Sequence, residues 1–192
     1  MNESKKGKIK KRLLFGKRGI QMESERLEMR PFVEEDFTFY QTLVQNEQVM
    51  RYINGGVMLE EDEARNWFER QFDRYEDERQ TGFLLLIKKE TNEPVGFAGL
   101  VLQKVDGIEE LEVGYWLTPI HWKVGYGREA AKRLMREAFE RGHDRLISII
   151  HPENHSSQNV ARANGLQWEK DTIFNGVPVV IYSCRLSRLF RG

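Results

Sequence analysis

Three apolar runs stand so close together that they admit one local arrangement. Residues 83–88, 95–102 and 109–117 are separated by six residues each time, 89–94 with Thr91-Asn92-Glu93-Pro94 and 103–108 with Val105-Asp106-Gly107. A parallel crossover takes a dozen residues or more, so links this short force neighbouring strands to run antiparallel. Their Asn, Pro, Asp and Gly are turn formers. The runs are read as an antiparallel meander. Ahead of it, Arg26-Leu27-Glu28-Met29-Arg30 alternates up to Pro31, as a strand does. Two helices follow at about 34–46, with Phe37, Tyr40 and Leu43-Val44 at helical spacing, and at about 60–78, with an apolar stripe of Ala64, Trp67-Phe68, Phe72 and Tyr75.

After the meander the pattern becomes helical over about 126–141, with Gly142 as a stop. It returns to a short strand at 145–150, a short helix at 155–163 and a hairpin around Asn175-Gly176, a pair suited to a type I′ turn. The order β-α-α-β-β-β-α-β-α-β-β makes an α/β (α+β) domain. It is a mixed, mostly antiparallel central sheet of about seven strands with helices on both faces.

Charge divides the chain in two. The 30 basic and 30 acidic residues cancel overall. Yet residues 1–21 carry eight Lys/Arg against Glu3, a net +7, so residues 22–192 carry −7. The first segment has too little apolar surface to fold alone. It reads as a basic, disordered extension: a solvated tail, a stretch upstream of a working start at Met22, or an arm for ribosome or RNA. Residues 22–192 form a single domain. Its acidity argues against nucleic-acid binding through the folded part, and by long-range field it leans toward cationic acceptors. One cysteine, Cys184, excludes a disulfide framework and a multi-thiolate zinc site. The longest apolar run is Phe83-Leu84-Leu85-Leu86-Ile87, far short of the ~20 residues of a membrane helix. Leu13-Leu14-Phe15 is too short for a signal peptide, so a cytoplasmic location is expected, with no membrane partner.

The chemistry concentrates after residue 112. Glu112-Val113-Gly114-Tyr115-Trp116-Leu117 leads through Trp122-Lys123-Val124-Gly125-Tyr126-Gly127-Arg128 into a helix. That loop delivers unpaired amides and a dipole end where an anion is favoured. Glycines at 125 and 127 would let an anion approach without Cβ interference. Gly114 suggests a bulge or a close approach, opening a strand edge to an extended ligand. The bland reading is a tight turn. A dinucleotide fingerprint would need glycine where Ala130 stands, and no Gly-Lys-Ser/Thr of a P-loop follows.

Further on, Asn154 leaves a strand, Ser157 follows three residues later, and Asn164-Gly165-Leu166 ends the short helix. Together with Glu25-Arg26-Leu27-Glu28-Met29-Arg30-Pro31-Phe32, Glu93-Pro94-Val95-Gly96-Phe97-Ala98-Gly99-Leu100 and the Glu-Val-Gly-Tyr-Trp-Leu run, these motifs resemble the GNAT superfamily of N-acyltransferases. The branch they resemble is the RimJ/RimL-type ribosomal-protein alanine acetyltransferases, over roughly residues 24–186.

The resemblance implies acetyl-CoA as co-substrate and direct transfer to a primary amine. The acceptor would be a small molecule or a peptide: a protein N-terminus, polyamine, amino acid or aminoglycoside. It implies pantetheine beside Val113, Tyr115, Trp116 and Leu117, and pyrophosphate on Lys123, Val124, Gly125, Tyr126, Gly127 and Arg128, with Asn154 and Asn159 assisting. Trp122, Lys123 and Val124 depart from the usual loop pattern, the cation having moved by one position.

Glu112 is the candidate base, against a surface glutamate. Ser157 is the candidate proton donor, against a helix cap, and Asn154 the orienting group, against a turn former. A second family glutamate and an acid tyrosine are replaced by Ile149 and Ala161. Their loss motivates an alternative, a non-catalytic CoA-binding sensor or interaction module. Homodimers are common among relatives. No metal is expected: Pro152 breaks any shared helical face of His151 and His155. Cys184 reads as core filler. Met50, Tyr52, Trp67 and Gln71 border the acceptor side in this fold.

Overall fold

The computed structural model describes residues 21–76 and 81–190. The strands are β1 Met22–Glu23, β2 Leu27–Pro31, β3 Gly82–Lys88, β4 Glu93–Val105, β5 Ile108–Leu117, β6 Arg145–Ile150, β7 Gln167–Phe174 and β8 Val177–Arg185. The helices are α1 Phe37–Val44, α2 Glu47–Met50, α3 Glu61–Glu76, α4 Tyr126–Glu140, α5 His155–Ala163 and α6 Leu186–Phe190. The basic extension, apart from Gln21, and the end of the expected 60–78 helix lie outside the described residues.

The strands form one sheet in the order β1-β2-β3-β4-β5-β6-β8-β7. It is antiparallel except where β5 meets β6. The expected seven strands are therefore eight. The additional one, β1, has two residues, too few for alternation to show in a sequence. The short helices α2 and α6 were also unforeseen, each being about one turn long. Asn46 accepts from the amides of Gln48 and Val49 and so starts α2.

Helices cover both faces of the sheet. The apolar run in β3 divides accordingly: Leu84 and Leu86 face α4, while Leu85 and Ile87 face α1 and α3. Period-2 alternation lets one strand serve two cores, which explains the continuous apolar run. On the α1/α3 side, Phe32, Tyr40, Phe68 and Phe97 pack with ring centroids 5.2–5.8 Å apart, in mostly tilted or edge-on geometries. Trp67 and Phe72 border this cluster, as the stripe implied.

Two glycines of β4 are required by packing. A Cβ on Gly99 would collide with the Gly82 carbonyl, and one on Gly96 with the Trp116 carbonyl. At Gly114, by contrast, a Cβ would meet only ordinary contacts at 3.6 Å and beyond. The expected bulge there is absent: the β4–β5 register runs unbroken from Gly96↔Leu117 to Val105↔Ile108. The irregular pairings lie at Leu86/Ile87 and Trp168/Lys170.

Candidate active site

The sheet opens without a bulge because β5 and β6 diverge. Their one ladder pairing is Glu112↔Ile147. Beyond it, 113–117 stay bonded to β4 on one side and, among the described residues, have no strand on the other. The Ser148 hydroxyl donates to the Val113 carbonyl at 3.1 Å, where a ladder amide would otherwise stand.

A cavity of about 440 Å³ occupies this gap. Glu112, Val113, Gly114, Tyr115 and Trp116 supply one wall, and Asn154 and Ser157 of α5 supply another. Across from them α3 contributes Trp67, Arg70, Gln71 and Arg74. Met50, Tyr52 and His151 complete part of the rim, with the Tyr52 and His151 rings 5.1 Å apart.

Glu112 is not a surface glutamate. Its carboxylate accepts from Gln103 Nε2 at 2.8 Å and from the Ile149 amide. Burial pushes its carboxyl above the usual range, and those hydrogen bonds and Arg74 offset the effect only in part. A carboxyl poised in this way can exchange a proton nearer neutral pH than a solvated one.

Asn154 caps α5, accepting from the Ser157 amide at 3.1 Å. Its cap role is therefore real, and it also lines the cavity. The Ser157 side chain is left for another contact. Tyr115 Oη reaches Ser157 Oγ at 3.4 Å, and burial raises the phenol above its ordinary range. Asn159 lies on the outer face of the same helix, exposed, accepting from Arg162 at 2.7 Å.

The loop after β5 is built as the sequence implied, with one revision. Lys123 (φ 63°) and Gly125 (φ 93°) are left-handed, a backbone alternation of the kind that can turn successive amides toward one concave side. Among the described residues, the amides from Lys123 to Arg128 have no acceptor, while Glu129 begins the helical ladder by donating to Gly125. The Trp122 indole anchors the loop by donating to the Leu117 carbonyl at 2.9 Å. Gly127, however, is buried against an aromatic ring. A Cβ there would lie 2.7 Å from Tyr115 Cε2, so this glycine makes room for tyrosine rather than for an anion.

Several participants escaped the sequence. Arg26 donates to the Val124 carbonyl at 3.0 Å and to Glu129 at 2.7 Å, and Ser24 also donates to Glu129 at 2.7 Å. Burial raises the Glu129 carboxyl, but these bonds outweigh it and hold it below its usual range. Asn164 donates to the Arg128 carbonyl at 3.2 Å, leaving its Oδ1 buried and without a donor among the described residues. Such pairings join positions about 100 and 36 residues apart, which no local pattern announces. The α3 face was legible in principle, because 67, 70, 71 and 74 follow helical spacing.

Gln71 is a strut. It accepts from the Phe83 amide and donates to the Trp67 carbonyl, both at 3.1 Å. Cys184 is a partly buried β8 residue whose thiol burial pushes up to about 11, unsuited to nucleophilic work. Among the described residues, no group of three His, Cys, Asp or Glu side chains could hold a metal ion. No helix among them is long and apolar enough to cross a membrane.

Comparison with known proteins agrees with this architecture. The Bacillus subtilis protein YkkB, itself uncharacterised, is 28% identical over 163 residues, spanning 83% of this chain and 92% of its own. An acetyltransferase from Agrobacterium tumefaciens superposes with a TM-score of 0.73 at 24% identity, covering 85% of this chain and 92% of its own. RimL, the ribosomal L7/L12 α-N-protein acetyltransferase solved with coenzyme A, superposes at 0.69 with 20% identity, over 84% of this chain and 95% of its own. The family model for the acetyltransferase (GNAT) domain matches residues 26–167. The chain therefore belongs to the GNAT family of acyl-CoA-dependent acetyltransferases.

Proposed function

We propose that the protein transfers an acetyl group from acetyl-CoA directly to a primary amine, small-molecule or peptidic, inside the β5–β6 gap. The observation that carries this reading is the convergence of Glu112, Tyr115, Asn154 and Ser157 on one cavity, with the Tyr115 ring also packed on Gly127 in the segment whose amides, Lys123 to Arg128, are unpaired among the described residues. The residues present suit the coenzyme. The amide cradle matches a diphosphate, the strand-free edge of 113–117 matches the amides of a pantetheine arm, its Val113 and Leu117 carbonyls being already taken by Ser148 and Trp122, and among the described residues the Asn164 Oδ1 lacks a donor. When bound, the thioester supplies an activated acyl carbon.

The protein's share is proton handling and positioning. An alkyl amine titrates near ~10 and arrives mostly as an ammonium, which has no lone pair. Glu112 takes that proton, directly or through water. Nitrogen then bonds to the acyl carbon as the carbon–sulfur bond breaks, and on becoming an amide it releases its second proton to solvent, from which the proton given to sulfur is replaced. The Ser157 hydroxyl, backed by Tyr115, would protonate the departing sulfur, and Asn154 would orient the reactants. Trp67, Tyr52 and Trp116 line the cavity and would shield the acyl carbon from bulk water.

The deciding experiment measures free thiol released from acetyl-CoA with a panel of amines. Amine-dependent release supports the reading. Coenzyme binding with no release across the panel overturns it in favour of a CoA-binding sensor.

A further inference from the structure

The cavity carries an unequal set of charges. Its ionisable lining consists of Arg70 and Arg74 from α3, Glu112 from β5, the Tyr40, Tyr52 and Tyr115 phenols, and His151. The carboxyl of Glu112 is pushed toward its neutral form by burial. Among the described residues, neither arginine has a hydrogen-bond acceptor or an ion-pair partner. Several arginines elsewhere in the domain are paired, Arg26 with Glu129, Arg30 with Asp36, Arg133 with Glu137, and Arg145 with Glu110 and Glu169, whereas Arg70 and Arg74 stand together in the wall of a cavity.

Arg74 is half-buried, and burial followed by the like charge of Arg70 pushes its guanidinium down from the ordinary range. An anion placed between the two would relieve both effects. The helix face is also rigid. Gln71, between them in sequence, is pinned to the Phe83 amide of β3. A guanidinium presents a planar fork of donors that suits a carboxylate or phosphate.

We propose that the acceptor is a small amine carrying its own anionic group, a carboxylate or a phosphate, which docks on Arg70 and Arg74 and points the amine at Glu112. This inference rests on the acetyltransferase reading of the same cavity. It reverses the expectation from the net acidity of residues 22–192, because the local lining and not the distant field meets the acceptor. A polyamine or aminoglycoside would bring further positive charge against two cations and be rejected.

The test compares matched amines: phenylalanine with phenethylamine, O-phosphoethanolamine with ethanolamine, and spermidine as the polycation. Thiol release from acetyl-CoA is measured for each. The expected kcat/KM for the anionic member of at least one pair exceeds that of its partner by about tenfold or more, and the pair with the larger ratio distinguishes carboxylate from phosphate. The R70Q/R74Q variant should raise KM for that anionic amine about tenfold and leave KM for acetyl-CoA unchanged, with Arg74→Lys restoring part of the loss. Because Arg70 is exposed, Arg70→Gln alone offers a readout that does not depend on packing.

Preference for spermidine or the uncharged amines, or an unchanged KM in the double variant, would overturn the proposal. Calorimetry separates this from failure of the acetyltransferase reading. No heat with CoA rejects the coenzyme site. Heat with CoA, but none on adding either anionic amine to the CoA-saturated protein, rejects only the anion site.

Discussion

The Tyr115 hydroxyl meets Ser157 Oγ at 3.4 Å, joining β5 to α5 across the gap where the sheet parts. Both groups line the cavity, and neither hydroxyl is taken up by a backbone carbonyl among the described residues. In the proposed reaction the pair would act as a short relay that delivers a proton to the leaving sulfur. Ser157→Ala should lower kcat by about tenfold, within the lower range for loss of a general acid, and Tyr115→Phe by less. If the two act together, the double variant will be no slower than Ser157→Ala, as steady-state kinetics would show.

Glu112 offers a pH signature. A base must be ionised to accept a proton, so activity rises with pH through its pKa. Burial places that pKa above the ordinary glutamate range, so the acid limb of kcat/KM should sit above that range. Glu112→Gln should reduce kcat/KM by about tenfold or more and abolish the limb. An unchanged profile would remove Glu112 from the reaction. The same raised pKa means the folded state favours the protonated group. Its stabilising effect is complete below the unfolded pKa and lost as pH rises through the folded one. The Gln variant should therefore keep or raise the Tm at neutral and higher pH.

The Arg26–Glu129 pair links the start of β2 to the loop after β5. Arg26→Ala should raise KM for acetyl-CoA about fivefold, roughly 1 kcal/mol of binding, with KM for the amine unchanged. Glu129 is held below its usual range, so its contribution to stability is present above the unfolded value of 4.5 and lost as pH falls through the folded one. Glu129→Gln should flatten the loss of Tm on acidification below that point, as thermal melts across pH would show.

Gly99→Ala tests packing alone. Its Cβ would strike the Gly82 carbonyl, a backbone atom that cannot swing aside. A loss of about 3 kcal/mol or more is expected in denaturant titrations. Gly114→Ala, whose Cβ meets only ordinary contacts, should cost far less.

Much of the domain was readable because its signals are local. The meander, the Asn175-Gly176 turn and the apolar face of α4 follow from spacing and turn chemistry within a few residues. Glu112, Tyr115, Asn154 and Ser157 came from motifs, and the structure gathers them on one cavity. The unread parts depend on distance in the chain. Gly114 suggested a bulge, yet the divergence of β5 and β6 follows from a single pairing at Glu112↔Ile147. Gly127 suggested a phosphate, yet its partner is a ring twelve residues earlier. Arg26 reads as one member of an alternating strand until its partners around 124–129 are seen. β1 was missed because two residues hold no periodicity.

That lone Glu112↔Ile147 rung also has a mechanical meaning. On each side of it long antiparallel ladders knit the strands together, from β1 to β5 and from β6 to β7 through β8. Under tension or heat the molecule has a built-in seam, and it should tear there into two leaves before either leaf frays. Any molecule that fills the seam acts as a stitch, so occupancy and toughness of the fold rise together.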